Sequence, residues 1–477
     1  MSQTVKPNIL MILIDDLGVR DLGSFGSTFY ETPNLDRLTH EGLKFENAYA
    51  SCPVCSPTRA SLMSGKYPAR VGITQFIGGK SEGRLQDVPY LHYLPLEEKS
   101  IATSLKEGGY QTWHVGKWHL GDEEFFPEHH GFDINIGGCH KGSPSDGYYP
   151  PYNIPALKEC GDNRYLTDRI TDESIELIKK RDPNSPFFLN LSHYAVHTPL
   201  QAPEELVEKY KKKAAKLGLD AINPIVNGDY MGCVHRSDQQ IERRILQSHP
   251  VYAAMVENLD YNIGRVLETL KNEGLEEDTL VVFSSDNGGL ATSEGSPTCN
   301  LPYSEGKGWN QEGGTRVCQM MRWPGKITPK TISTENTQTC DLYPTFLEAA
   351  GLPLNPEQHV DGISLYNHII DGASLERECI YWHYPHYSNQ GGRPAASLVS
   401  GNWKLIENFE DNSLELYDLI VDPSEQNNLK SSFPEKASEL HSKLNLWKEE
   451  IEAKIPAPNP GWEAKMKTPK VANNAHI

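Results

Sequence analysis

Asn8-Ile9-Leu10-Met11-Ile12-Leu13-Ile14-Asp15-Asp16 is an unbroken apolar run that stops on two carboxylates. A strand with one solvated face would alternate apolar and polar residues. A run without alternation reads as a strand buried on both faces, as in a parallel sheet between layers of helix. Thr279 to Asn287 repeats the design: Leu280-Val281-Val282-Phe283, two serines, then Asp286-Asn287. Gln111 to Lys117 and Phe187 to Ser192 are further strand candidates, and helices are expected over Ile101 to Glu107, Leu166 to Lys180 and Tyr252 to Lys271. Strands alternating with helices imply an α/β fold, a large mostly parallel or mixed sheet flanked by helices. Ligands of such sheets bind beyond the carboxyl ends of the strands, where Asp15, Asp16, Asp286 and Asn287 fall.

The texture changes near Glu376. Short strands are expected around Cys379 to His383, Ala396 to Ser400, Trp403 to Glu407 and Leu414 to Asp418, separated by turn residues. One amphipathic helix should follow over Pro434 to Ile455. This divides the chain into a catalytic domain, 1–375, and a smaller α+β subdomain, 376–477, with an antiparallel sheet. From about residue 456 the proline-rich tail should run extended over the surface.

Composition narrows the function classes. With 38% hydrophobic and 23% charged residues, the 477-residue chain resembles an ordinary soluble globular protein. The apolar run Ile9 to Ile14 is too short to cross a bilayer. The first residues carry no export signal, so a periplasmic or secreted location would require a leader removed earlier, and a cytoplasmic one would not. A net charge of −19 disfavours nucleic acid as a partner. An anionic small substrate would need a local cluster of cations. Nine cysteines scattered over this length are not a disulfide scaffold. Only Cys52 and Cys55 stand close, as C-x-x-C, and no second ligand pair completes a zinc site.

Cys55-Ser56-Pro57-Thr58-Arg59 carries the chemistry. Ser56 is a candidate helix cap with Pro57 in the first turn, which would set Cys55 at a helix N-terminus, where thiols ionise easily. The pattern C-x-P-x-R resembles the maturation signature of the type I sulfatases. Further blocks resemble that family in its order: Asp15-Asp16, Gly116-Lys117-Trp118-His119, His197-Thr198-Pro199, Ser285-Asp286-Asn287-Gly288, and Lys307-Gly308 with Glu312-Gly313-Gly314-Thr315-Arg316-Val317. Cys318 stands where proline would be expected; a structural role is the reading there.

The resemblance implies an alkaline-phosphatase-like sandwich. It also implies that a dedicated enzyme converts Cys55 to formylglycine, whose hydrate is the nucleophile. Asp15, Asp16, Asp286 and Asn287, together with residue 55, would hold Ca²⁺, or else Mg²⁺, since hard oxygen donors suit such ions. Arg59 would hold the formylglycine, Lys117 and Lys307 would clamp sulfate oxygens, His197 or Lys307 would protonate the leaving alcohol, and His119 would remove the second hydroxyl proton. The stretch Tyr381 to Pro394 resembles bacterial galactose- or N-acetylgalactosamine-sulfatases, making His386 and Arg393 candidate contacts to a sulfated saccharide. Two rivals stand beside this reading: a phosphoester hydrolase of the same superfamily, in which Asp-His would be expected at 286–287, and a non-catalytic binding protein with an unmodified Cys55.

Overall fold

The computed structural model describes residues 6–159 and 161–467. Its main sheet has eight strands in the order Thr331–Ser333, Leu43–Phe45, Gln319–Arg322, Thr279–Ser285, Asn8–Ile14, Phe187–Ser192, Gln111–Gly116 and Ile134–Ile136. Only Gln319–Arg322 runs against the others. The strand Asn8–Ile14 sits centrally, with Ile9 opposite Phe188 on one side and Leu280 on the other.

All seven residues of this strand are buried. The two-residue period of a strand divides them between two cores. Leu10, Ile12 and Ile14 pack with residues of the helices Leu166–Lys180 and Pro250–Asn272. Ile9, Met11 and Leu13 pack with Ala60, Leu62, Leu105 and Phe346 on the opposite face. A strand with a core on both sides has no face left for polar residues, which is why its sequence does not alternate.

The helix Leu166–Lys180 matches its expected span, and Pro250–Asn272 extends the expected one at both ends. Its N-terminus is capped by the His249 side chain, which accepts from the Tyr252 amide. Less regular elements escaped the sequence reading: the helix Glu204–Lys216, the two-stranded ribbon Ile225–Tyr230 with Gln240–Arg244, and the antiparallel strand Gln319–Arg322. Among the described residues no helix is long and apolar enough to cross a membrane.

Near the C-terminus, Ile380–Tyr384, Ala395–Ser400, Trp403–Asn408 and Leu414–Asp418 form a four-stranded antiparallel sheet in sequence order. The helix Pro434–Glu450 lays Leu440, Leu444 and Trp447 on it, against Leu398, Leu405 and Leu416. That helix stops five residues before the expected Ile455. The tail then runs back across the body, with Pro458 bridging to Leu85; residues 468–477 of the expected tail lie outside the described residues.

A buried ionic network joins this sheet to the main body. Lys404 Nζ lies 2.8 Å from Glu312 Oε1 and 3.0 Å from Glu425 Oε1, and Arg316 Nε donates to Glu312 Oε2 at 2.6 Å. Removing one partner of a buried pair leaves an uncompensated charge, at a cost of about 3–5 kcal/mol. Lys404→Met is therefore expected to lower unfolding free energy by about that amount in a urea titration. A loss below ~1 kcal/mol would show that the pocket hydrates or neutralises its carboxylates at little cost.

Candidate active site

Parallel neighbours end side by side. Ile14 lies opposite Ser285, and Ser192 lies opposite both Leu13 and Gly116. The residues that follow these ends, Asp15-Asp16, Asp286-Asn287 and Lys117, therefore emerge at one place. All five are buried. The helix Cys55–Ser64 points its N-terminus there, with Cys55 as its first residue and 3% exposed. Its N-cap is Val54 in an extended conformation, not Ser56 as expected. Ser56 instead accepts from the Ile77 amide at 3.1 Å.

Arg59 is one helical turn beyond Cys55 and joins three strand ends. Its Nε donates to Asp286 Oδ2 at 2.9 Å, and Nη1 donates to the Lys117 carbonyl at 2.9 Å and to Ser192 Oγ at 2.6 Å. Lys117 Nζ reaches Asp15 Oδ2 at 2.7 Å, and Lys307 Nζ reaches Asp16 Oδ2 at 2.8 Å. Three side-chain cations thus face three carboxylates in a site closed to bulk water. The three cations offset the three carboxylates, so the site's formal charge becomes positive only when a divalent cation is also held there.

Lys117 and His119 do converge on the site, but not by simple alternation on an extended segment. Gly116 has φ 103° and His119 φ 58°, so the backbone turns between them. His119 Nδ1 lies 3.3 Å from Cys55 Sγ, and its Nε2 lies 3.3 Å from the Ile77 carbonyl oxygen. A carbonyl only accepts, so Nε2 carries the proton and Nδ1 turns a lone pair toward residue 55. His197 follows the same logic: Nδ1 donates to the Thr198 carbonyl at 2.8 Å, leaving Nε2 to accept from Lys307 Nζ at 3.1 Å.

Electrostatics reflect burial first. Desolvation, opposed by Lys117, pushes the Asp15 carboxyl up to about 8. For Asp16 the burial penalty is outweighed by Lys307, His197 and Lys117, which hold it below the usual range. Burial, reinforced by Lys307, lowers His197 to about 3; burial with Lys117 and Arg59 beside it also lowers His119. Both shifts favour the neutral imidazole, the form in which His197 Nε2 accepts from Lys307 and His119 Nδ1 presents a lone pair to residue 55. The Cys55 thiol is pushed up by burial, against Lys117 and Lys307. Burial thus works against the easy ionisation expected of a thiol at a helix N-terminus.

The donor set fits a hard divalent cation. Asp15 Oδ1 and Asn287 Oδ1 are buried oxygens without a hydrogen-bond partner. Native interiors rarely leave such groups unpaired. Asp15, Asp16 and His197 offer ligand atoms within 4.8 Å of one another, so His197 lies closer to the carboxylates than the sequence suggested.

The substrate candidates divide. His386 has no exposed surface, and its two ring nitrogens are 2.9 Å from Asp87 Oδ1 and 2.8 Å from Thr74 Oγ1. The expected direct contact with a saccharide is thus corrected: no atom of this imidazole is presented to a ligand. Arg393 is half exposed and pairs with Glu410 at 2.7 Å, in the wall of a cavity of about 250 Å³ that also includes Trp309. Neither residue joins the catalytic cluster. Sequence reasoning missed Ser192, the Ile77 carbonyl and Lys404, since long-range contacts leave no local pattern. It also did not pair Glu312 with Arg316, which stand four residues apart in a block it quoted and meet in a buried ion pair. Cys318 is fully buried beside the strand Gln319–Arg322, and Cys52 and Cys55 are both free.

Comparison with known proteins agrees with this geometry. Residues 7–352 match the Sulfatase family model, and residues 306–452 match the model for the C-terminal region of N-sulphoglucosamine sulphohydrolase. A sulfatase from Formosa agariphila is 30% identical, covering 93% of this chain and 88% of the relative. N-acetylgalactosamine-6-sulfatase from Homo sapiens is 32% identical over 79% of this chain and 68% of its own. Among solved structures, Ps i-CgsB in complex with k-i-k-neocarrahexaose superposes with a TM-score of 0.75 at 28% identity, covering 97% of each chain. A chain whose family match spans its whole main sheet, and whose buried cations and carboxylates meet around the cysteine of C-x-P-x-R, belongs to the sulfatase family of sulfuric ester hydrolases.

Proposed function

We propose that the protein removes O-sulfate from a saccharide of galactose or N-acetylgalactosamine type, using formylglycine made from Cys55 by a dedicated maturation enzyme and a bound divalent cation, Ca²⁺ ahead of Mg²⁺. The observation that carries this reading is Cys55 beside buried Arg59, Lys117, Lys307 and His119, with partly buried His197 next to Lys307. The saccharide part rests on the kind of relative matched, N-acetylgalactosamine-6-sulfatase, and on the sequence around His386 and Arg393.

Asp15, Asp16, Asp286 and Asn287 would hold the cation, which when bound supplies Lewis-acid stabilisation of negative oxygen. As a hydrated aldehyde, residue 55 supplies an oxygen nucleophile and a second hydroxyl. The remaining tasks belong to the chain's own side chains. Lys117 and Lys307 place two ammonium groups where sulfate oxygens enter, neutralising charge that grows in the transition state. Arg59, held by Asp286 and Ser192, fixes the helix that carries residue 55. His119 Nδ1 has the free lone pair needed to take a proton from residue 55. The Lys307–His197 pair, 3.1 Å apart, is the proton source for the departing sugar oxygen. We also read residues 1–375 as the catalytic domain and 376–477 as a subdomain bordering its cleft.

The decisive experiment is sulfate release from a panel of defined sulfated saccharides, measured by ion chromatography. Activity restricted to galacto-configured sugars supports the reading, and activity confined to other sugars would displace it. Arg393, freed from Glu410, could reach a sugar hydroxyl or acid group. Arg393→Ala is expected to lower the ratio of saccharide to aryl sulfate kcat/KM by about ten- to a hundredfold. An unchanged ratio would return Arg393 to a structural role with Glu410.

A further inference from the structure

A second cavity, of about 530 Å³, opens between Gly79–Asp87, Val234–His235 and Asn459. That volume is within the roughly 300–1,000 Å³ of small-molecule sites. Its position follows from two contacts. On one side, Ile77, two residues before Gly79, gives its carbonyl to His119. On the other, His235 Nε2 lies 2.8 Å from Asn389 Oδ1, in the turn whose Ser388 and Gln390 press on Gly308, the neighbour of Lys307. The cavity is thus bracketed by the two segments that back the catalytic His119 and Lys307.

Its wall is mixed: polar groups of Lys80, Ser81, Glu82, Gln86, Asp87, His235 and Asn459 alternate with apolar surface that includes Val234 and Gly79. Asp87 is held in an unusual way. The fully buried His386 donates from Nδ1 to Asp87 Oδ1 at 2.9 Å, and Thr74 Oγ1 is 2.8 Å from Nε2. Nδ1 must be the donor to a carboxylate, so Nε2 accepts from the Thr74 hydroxyl. The chain Thr74–His386–Asp87 therefore fixes one oxygen of Asp87 from behind. The Asp87 side chain remains 36% exposed, with its second oxygen outside this chain. The His386–Asp87 pair leaves a carboxylate of fixed orientation at the cavity wall, available to a ligand's hydroxyls.

We infer that this cavity is a subsite for the saccharide unit next to the sulfated one, with Asp87 as the acceptor for its hydroxyls and His386 as the positioning residue behind Asp87. The inference rests on the saccharide reading above and adds the recognition of a second sugar. The carboxylate oxygens of Asp87 suit vicinal hydroxyls, Gln86 adds a donor and an acceptor, and the apolar part of the wall suits the C–H face of a sugar ring.

The test compares a sulfated tetrasaccharide with the corresponding sulfated monosaccharide on the matured, metal-loaded enzyme. Wild type should prefer the tetrasaccharide in kcat/KM. Asp87→Asn should cut that preference by about tenfold or more, mainly through KM. His386→Phe should copy the defect, and His386→Asn, which keeps an N–H near the position of Nδ1, should restore part of it. If His386→Phe does not fold, Asp87→Asn on its half-exposed loop still decides. A preference unchanged in Asp87→Asn overturns the subsite, as does a wild type with no preference for the longer substrate. A wild type that hydrolyses neither saccharide but does hydrolyse an aryl sulfate overturns the saccharide reading itself.

Discussion

Cys55→Ala is expected to lower sulfatase turnover by at least about 10⁴-fold, with little change in thermal stability. Alanine fills nearly the same space at the first position of the helix Cys55–Ser64, so Arg59 and its bonds to Asp286 and Ser192 stay in place. What disappears is the only group beside Arg59, Lys117 and Lys307 that can become a nucleophile. Removing a covalent nucleophile leaves binding and electrostatic stabilisation, which give only residual rates. The companion measurement is peptide mass spectrometry of the active wild type. The peptide containing residue 55 should show a fraction in which sulfur and two hydrogens are replaced by one oxygen. Fully active enzyme containing only thiol would sink the formylglycine proposal. Cys52→Ala tests whether the C-x-x-C spacing has a use of its own: a redox pair would lose function, whereas a buried cysteine beside Val54 and Tyr384 should leave activity largely intact.

Removal of the divalent cation should cost at least about 10³-fold in turnover and, independently, several degrees of thermal stability. Asp15, Asp16 and Asp286 are all fully buried, and two of the oxygens around them lack a partner. A ligand that binds only the folded state stabilises it by mass action, about 4 kcal/mol at a thousand times its Kd. Ca²⁺ added to chelated protein should therefore raise Tm more than equimolar Mg²⁺, because the donor set is oxygen-rich and Ca²⁺ accepts irregular coordination. Asn287→Ala should abolish the Ca²⁺-dependent shift while leaving the Arg59–Asp286 and Lys117–Asp15 pairs intact. A shift that persists in Asn287→Ala would place the cation elsewhere. Two zinc ions per chain by elemental analysis would favour the phosphoester hydrolase rival.

These outcomes depend on groups that differ in how they can be read. The apolar run Asn8 to Ile14 was legible because two cores remove alternation from a strand, a local consequence of a global arrangement. Its carboxylate ending, repeated after Ser285, located the site because parallel strands share a carboxyl end. The helices Ile101–Glu107 and Leu166–Lys180 followed from periodicity. The ribbon Ile225–Tyr230 with Gln240–Arg244 did not, since its exposed residues carry no regular apolar pattern.

By itself, then, the sequence determined the α/β sheet and the ends at which polar residues cluster, and its C-x-P-x-R and later blocks carried the resemblance to the sulfatases. Tertiary structure alone decided the rest. It turned Gly116 to His119 so that Lys117 faces Asp15 and a lone pair of His119 faces residue 55. It buried the Cys55 thiol, which raises the cost of ionising it. It moved His386 from a presumed sugar contact to a post behind Asp87, and it joined Lys404 to Glu312 across 92 residues. The reason is common to all four. Periodicity and residue type report what a segment buries and where it ends, whereas charge partners, tautomers and solvent access are properties of atoms brought together from distant parts of the chain.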